Sequence, residues 1–315
     1  MAQPTNTFSQ YDAKGNREDL SDIIYDISPT ETPFLSSIGK TKATSTKHEW
    51  QTDALAAAVS NNAVIEGDEA TMDASVATTR VFNYTQISDK TATVSGTQEA
   101  VNSAGRRSEM AYQMEKRMKE LKRDVEKTLL ENNAEVAGND STAREVSGLQ
   151  AWVKTSTNIA SDATASAGNG TNAHTDGTAR ALTEAFVEDA LASAWSEGGN
   201  PSMGILNAFQ KRKFVTFSGN STRFDKGEDK KLVNTVDVYI DPLGSEISLM
   251  PDRFAPTDVV FFVDPEFAKY AVLRDFQSHD LSKTGDTMKK QLLVEYTLQV
   301  GQEKAHAGVY DLTTS

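Results

Sequence analysis

Between residues 106 and 137, apolar side chains recur at Met110, Met114, Met118, Leu121, Val125 and Leu129, at intervals of four or three. That spacing draws one stripe along a helix with a period near 3.6 residues and predicts one buried face. No Gly or Pro interrupts the run, and Gly138-Asn139 supplies the left-handed stop expected at its end. At a rise of about 1.5 Å per residue, this predicts a rod of roughly 45 Å. Its polar faces pair Glu115 with Lys119, Lys122 with Glu126 and Lys127 with Glu131, opposite charges four apart that each add a few tenths of a kcal/mol. A single long amphipathic helix needs a sheet or another subunit to cover its stripe.

A second pattern has period two. Leu292, Val294, Tyr296, Leu298 and Val300 alternate with Leu293, Glu295, Thr297 and Gln299, which predicts a long strand with one fully apolar face, a natural cover for the helix. Ala305, Ala307 and Val309 are expected to return as a hairpin partner through a turn near Gly301. Polar alternation around Trp50 and Thr52, and again at Arg80, Phe82, Tyr84 and Gln86, predicts two long strands, with β-branched residues running on through Thr91, Thr93 and Val94. Residues 54–79 between them form a tip of small residues carrying Glu66, Asp68, Glu69 and Asp73. The acidic spacing matches no calcium loop, so a solvated tip is expected rather than a metal site. A hairpin this long is marginal by itself in water and is expected to pack on a neighbouring subunit.

The remaining segments fall around these elements. Residues 1–47 read as an arm, with a short amphipathic set at Leu20, Ile23, Ile24 and Ile27 and a short helix opening at Thr32-Pro33 and closing at Gly39. A short helix within residues 96–105 and a strand over residues 146–153 flank the long helix, and residues 154–180, rich in Ser, Thr, Asn, Ala and Gly, read as a surface loop. From Ala181 a distinct α/β portion begins. Thr183 caps a helix with Leu182 and Val187 as a hydrophobic staple, and Phe186, Ala190, Leu191, Ala194 and Trp195 are expected on its buried side. A strand at residues 203–206, a helix capped by Asn207 and running through Phe217, and strands at residues 236–240, 247–250, 259–263 and 270–274 follow. The expected organisation is α+β: an N-terminal arm (1–47), an extended hairpin (48–95), a helix-on-sheet portion (96–180, with its spine helix at 106–137), an inserted α/β portion (181–285) and terminal strands (286–315).

Composition narrows the function. With 315 residues the chain is long enough for a substantial core. No apolar stretch approaches the length that spans a bilayer, and the opening MAQPTNTFSQYD lacks the basic end and apolar centre of a secretory leader. Zero cysteines exclude disulfides, thiolate metal sites and cysteine nucleophiles and suit a reducing cytoplasm. A formal charge of −13 disfavours a surface that grips nucleic acid throughout, yet suits the wall of a container for DNA. The four histidines, His48, His174, His279 and His306, have no metal-ligand spacing and read as structural or surface residues. Gly168-Asn169-Gly170 lacks the preceding strand of a phosphate loop, Asp237 and Asp241 read as the outward face of a strand, and the basic trio Lys211, Arg212 and Lys213 reads as the solvated side of a helix. No nucleophile, base, cofactor-binding or metal site is proposed by the residues, although scattered groups can still assemble in space.

The order of elements resembles the major capsid proteins of tailed double-stranded-DNA bacteriophages, with the Hong Kong 97-type fold. The resemblance rests on REDLSDIIYDISPTETPFLSSIGK (residues 17–40), MAYQMEKRMKELKRDVE (110–126), GLQAWV (148–153), and DPEFAKYAVLRDF through KTGDTMKKQLLVEYTL (264–298). Together these span nearly the whole chain. One departure is Ala208, where proline is expected after Asn207. The resemblance implies a structural protein without catalytic residues, cofactor or metal, whose copies form the pentamers and hexamers of an icosahedral head enclosing DNA. Portal and scaffolding or decoration proteins are the implied partners, DNA is enclosed without sequence-specific binding, no membrane is involved, and assembly occurs in the host cytoplasm before the protein resides in the virion. In that plan the inserted portion (181–285) faces the capsomer centre and the spine helix and terminal strands form the periphery. An encapsulin-like nanocompartment shell shares the fold and is the alternative; an enzyme with a site built by subunit contact is the least favoured.

Overall fold

The computed structural model describes residues 30–70, 72–101, 107–217 and 237–314; the expected turn at Leu20 to Ile27 and the charged loop at residues 223–231 lie outside them. In chain order the elements are α1 (Pro33–Ser37), β1 (Gly39–Lys42), β2 (Lys47–Thr52), β3 (Thr79–Tyr84), β4 (Gln86–Ser95), α2 (Gly96–Ala100) and α3 (Glu109–Leu130). They continue with β5 (Thr157–Asn158), α4 (Glu184–Ser196), β6 (Met203–Leu206), α5 (Ala208–Phe214), β7 (Val238–Ile240), β8 (Glu246–Pro251), β9 (Val260–Val263), β10 (Ala268–Asp280), β11 (Thr287–Val300) and β12 (Ala307–Val309). Among the described residues the strands form a four-stranded sheet in the order β1-β10-β11-β4, a six-stranded sheet β5-β12-β9-β6-β8-β7, and the separate pair β2-β3.

The spine helix α3 is shorter than its periodicity predicts: 22 residues, about 33 Å, instead of residues 106–137. Its start is set by Ser108, whose hydroxyl accepts the Ala111 N–H at 3.2 Å, while Glu99 from α2 accepts from the Ser108 hydroxyl and the Met110 N–H. Its end comes at Leu130 because the next residues find partners elsewhere. Asn133 O accepts the Gly148 N–H at 3.0 Å, and Val136 pairs with Glu145. Gly148 passes so close that a Cβ there would lie 2.0 Å from Glu131 O. Gly138, at φ +70°, serves the turn beyond rather than the helix stop. The expected i,i+4 pairs Glu115–Lys119 and Lys127–Glu131 form at 2.9 and 3.9 Å. Glu126 instead turns inward and is fully buried.

The stripe packs as the two periodicities require. Leu121, Val125 and Leu129 lie in one core with Leu292, Val294, Tyr296 and Leu298 of β11, and Met110 packs with Ala92 and Val94 of β4. Each such side chain, fully buried, contributes roughly 1.5–3 kcal/mol. β11 is central in its sheet, antiparallel to both β10 and β4. The expected hairpin with the last strand does not form. Gly301 donates to Phe267 O at 2.6 Å, a 3-10 turn (Glu303–Ala305) carries the chain away, and β12 pairs with β9 and β5 in the other sheet.

The six-stranded sheet is covered on both faces. Phe261 and Val263 of β9 point into the core of the spine helix, whereas Val260 and Phe262 point into a second core with Val187, Ala190, Leu191 and Ala194 of α4. An uninterrupted apolar strand is what two buried faces demand. The Leu182–Val187 staple is buried as expected, but Trp195 is 60% exposed, because its neighbour Ala194 takes the buried direction. The helix after Asn207 ends at Phe214 rather than Phe217. Residues 146–153 are not a strand: a 3-10 turn (Leu149–Ala151) tucks Leu149, Trp152 and Val153 into the core. Nor is the 154–180 segment a mere surface loop. Ala160, Ser166 and His174 are buried, and Asp162 accepts the Thr178 N–H and hydroxyl.

Candidate assembly surface

The base of the β2-β3 hairpin is anchored and its tip is not. Trp50 and Val81 pack on the main core, with the Trp50 and Trp152 rings 5.3 Å apart. Asn83 donates to Leu298 O at 2.9 Å and accepts the Ser147 N–H at 3.0 Å. Beyond Thr52 every described residue to Thr78 is exposed. The tip carries Leu55 and Met72, both fully exposed, together with Val59, Val64, Ile65 and Val76 at 72–86%. Large apolar side chains held in water on one projecting segment mark a surface that another protein covers. Beside the small and acidic residues expected here, the sequence carries six large apolar residues in a stretch with neither helical nor strand periodicity, and that combination is the signal of a covered tip. Glu66, Asp68, Glu69 and Asp73 are exposed as expected, with Asp68 accepting the Glu69 N–H.

Two buried carboxylates lock elements that meet below this hairpin. The Glu295 side chain is 4% exposed and accepts from Arg144 Nη2 and Arg274 Nε at 2.7 Å each and from the Thr85 hydroxyl at 2.9 Å. The polar face of β11 is therefore not a wet face: Glu295 and Thr297 are buried, and the network joins the β3-β4 junction, the chain beyond α3, and β10. Only Glu295 is fully buried, so the cost of about 3–5 kcal/mol for an uncompensated buried charge applies when both guanidiniums are removed, since either one alone still pairs with it. Glu126, near the C-terminal end of α3, accepts the Phe34 and Leu35 N–H groups at 2.7 and 2.8 Å, at the start of α1. Burial raises the Glu126 carboxyl well above the ordinary range, as it does that of the neighbouring Asp252. The two carboxyls act on each other's titration, and Glu126 fixes the end of the N-terminal arm to the spine.

Among the described residues, the other groups singled out by the sequence do not gather at one place in the fold. His48 meets Gln299 at 3.1 Å, His279 is exposed on β10, and His306 is buried with Nδ1 accepting the Asp264 N–H. Burial pushes the His306 imidazole down to about 4, so it is neutral near pH 7. His174 meets Asp311, far away in sequence. Asp237 is exposed and pairs with Lys211 at 3.0 Å, but Asp241 is buried and accepts the Leu243 N–H, so they are not one outward face. Lys213 lies over the Phe209 ring. Gly170 packs against Ser147 and Trp152, and Asn169 accepts from Thr171, which leaves no phosphate cradle.

A thinly hydrophobic hairpin on a helix-on-sheet core, an apolar tip and structural rather than reactive buried carboxylates together describe a subunit shaped for contact with its neighbours. A family model described as SU10 major capsid protein matches residues 3–313. The chain belongs to the SU10 major capsid protein family. The major capsid protein of Escherichia phage Phieco32 is 29% identical over 334 residues, covering 95% of each chain. The capsid asymmetric unit of cyanophage A-1(L) superposes with a TM-score of 0.67 at 13% identity, over 95% of this chain and 98% of that one. The SrpI encapsulin of Synechococcus elongatus PCC 7942 has a TM-score of 0.56 at 10% identity, over 95% and 93%. The fold is therefore of the Hong Kong 97 type, in the α+β class. The protein is a structural capsid component of a phage virion that assembles with copies of itself into the head shell.

Proposed function

We propose that copies of this SU10-family subunit form the pentamers and hexamers of an icosahedral head that encloses double-stranded DNA. The observation that carries the reading is the projecting tip at residues 53–78, with six large apolar side chains in water: a lone subunit gains nothing from it, whereas a neighbouring subunit that covers it removes that area from water. In this reading residues 48–95 are the extended hairpin that lies on the neighbour. Residues 96–180 and 286–315 hold the periphery with α3 and β11, and residues 181–285 face the capsomer centre, their sheet completed by β5 and β12. The arm, residues 1–47, is tied to the spine at Glu126. The role is structural rather than enzymatic. Portal and scaffolding or decoration proteins are its further partners, and assembly takes place in the host cytoplasm. An encapsulin-like compartment shares the fold only, whereas the family match spans almost the entire chain.

Negative-stain images of the purified full-length protein test this. Closed shells or five- and six-membered rings are expected; a protein that stays monomeric over the micromolar range argues against the reading.

A further inference from the structure

We propose that His174, Asp176 and Asp311 form a binding site for one divalent transition-metal cation per subunit, of the zinc type, which ties the loop around residue 174 to the chain beyond β12. His174 Nε2 lies 3.2 Å from Asp311 Oδ1 and 3.9 Å from Asp176 Oδ1, and the three candidate ligand atoms all lie within 4.8 Å of one another. Ligands at about 2.1 Å from a tetrahedral ion are about 3.4 Å apart, so one ion placed among these atoms needs only a small inward turn of Asp176. One imidazole nitrogen with two carboxylates suits zinc and its divalent neighbours rather than calcium, which takes oxygen ligands throughout.

Two further observations point to a cation. The side chains of His174 and Asp311 are fully buried while that of Asp176 is 63% exposed, so the site has two enclosed ligands and one exposed ligand at its mouth. That arrangement leaves a fourth position for water. Among the described residues no lysine or arginine pairs with Asp176 or Asp311. Arg180, the nearest guanidinium, gives its Nη groups to Asn158 and to Tyr310 O. The charge of Arg180 acts on Asp311 from a distance, and the carboxylates of Asp176, Asp311 and nearby Asp258 outnumber it. The ring makes an edge-to-face contact with Tyr310, and its Nδ1 has no hydrogen-bond partner among the described residues, so the polar contacts of the ring lie on its Nε2 side.

The Asp311 carboxylate is itself preset. Its Oδ2 accepts the Ala160 N–H at 2.9 Å and its Oδ1 the Gly177 N–H at 2.8 Å, and its backbone stands at φ +58°, a left-handed conformation that is uncommon outside glycine. The anchored carboxylate gives the ligand its fixed geometry. Because Asp311 also holds two backbone groups, replacing it disturbs the fold. Asp176 is the informative position, since its side chain is exposed and bears no hydrogen bond of its own.

The test is titration of chelator-treated full-length protein with zinc chloride, followed by calorimetry and by the melting temperature. Wild type is expected to bind one ion per subunit and to melt higher with zinc. Asp176→Asn is expected to keep the metal-free melting temperature and to bind at least tenfold more weakly, and His174→Gln to lose stoichiometric binding. Absence of stoichiometric binding by wild type, or equal affinity in Asp176→Asn, overturns the site. The outcome is independent of shell formation, because both proteins can be titrated whether or not they assemble.

Discussion

Glu126 shows how much one residue's role depends on its surroundings. In the sequence it is the partner of Lys122 on a wet helix face; in the structure it is buried and accepts two N–H groups at the start of α1. Burial pushes its carboxyl up to about 8, and that of Glu135 up to about 7, from an ordinary value near 4.5. From about pH 4.5 up to about 8 for Glu126, and up to about 7 for Glu135, the folded chain therefore keeps protons that the unfolded chain has released. Stability falls as pH rises through that window, by at most about 1.4 kcal/mol per pH unit for each group. His306 acts in the lower part of that window with the opposite sign: held down to about 4 against an ordinary 6.5, it costs stability as pH falls between those values, so the carboxyl effect stands alone only above pH 6.5. Glu126→Gln should flatten the decline in melting temperature between pH 6.5 and 8. It should also lower stability at pH 6.5 by about 1–3 kcal/mol, because an amide cannot accept both backbone donors. Calorimetric scans of unassembled subunit across that range check this; an unchanged slope places the proton elsewhere.

At the scale of elements, two periodicities did most of the work. The stripe on α3 and the alternation on β11 predict each other's partner, and Leu121, Val125 and Leu129 meet Leu292, Val294, Tyr296 and Leu298 as expected. The short strands were less legible in their pairing. β12 has three residues, with too little side chain to declare which sheet it joins, and Gly301 and the 3-10 turn after it decide the matter. The β2-β3 hairpin was legible as an excursion, and the structure adds that its anchor is Trp50 and Val81 at the base while the tip contributes nothing to the core. Replacing residues 56–76 with a short Gly-Ser turn should therefore leave the circular dichroism and melting transition of the subunit or capsomer nearly intact, while closed shells no longer appear in electron micrographs. Normal shells from the trimmed protein, or its unfolding, refute the intersubunit role of the tip.

At the scale of the molecule, charge and layering set the character of the shell. A net charge of −13 leaves a wall that repels phosphate, and the basic trio on α5 is partly used internally, Lys211 by Asp237 and Leu249 O and Lys213 over Phe209. Binding to duplex DNA is expected to be weak, without sequence preference and steeply lowered by salt. In a gel-shift titration at physiological salt, sub-micromolar and sequence-selective binding contradicts the container reading of the charge. The six-stranded sheet, with α4 on one side and the spine core on the other, joins the inserted portion to the periphery through shared apolar layers. A rotation between the two has to shear that sheet rather than bend a linker.

The sequence by itself determined the α+β class, the spine helix, the long terminal strand and the excursion of the hairpin, because these follow from local periodicity and from composition. The family, too, was legible in its segment phrases. The tertiary structure alone decided where α3 stops, which sheet β12 joins, that the polar face of β11 is covered, and that His174 meets Asp311 across more than a hundred residues of chain. Those outcomes depend on hydrogen-bond partners and close approaches between residues distant in sequence, such as Gly148 against Glu131 O or Arg144 against Glu295, and no local pattern of apolar and polar residues encodes them.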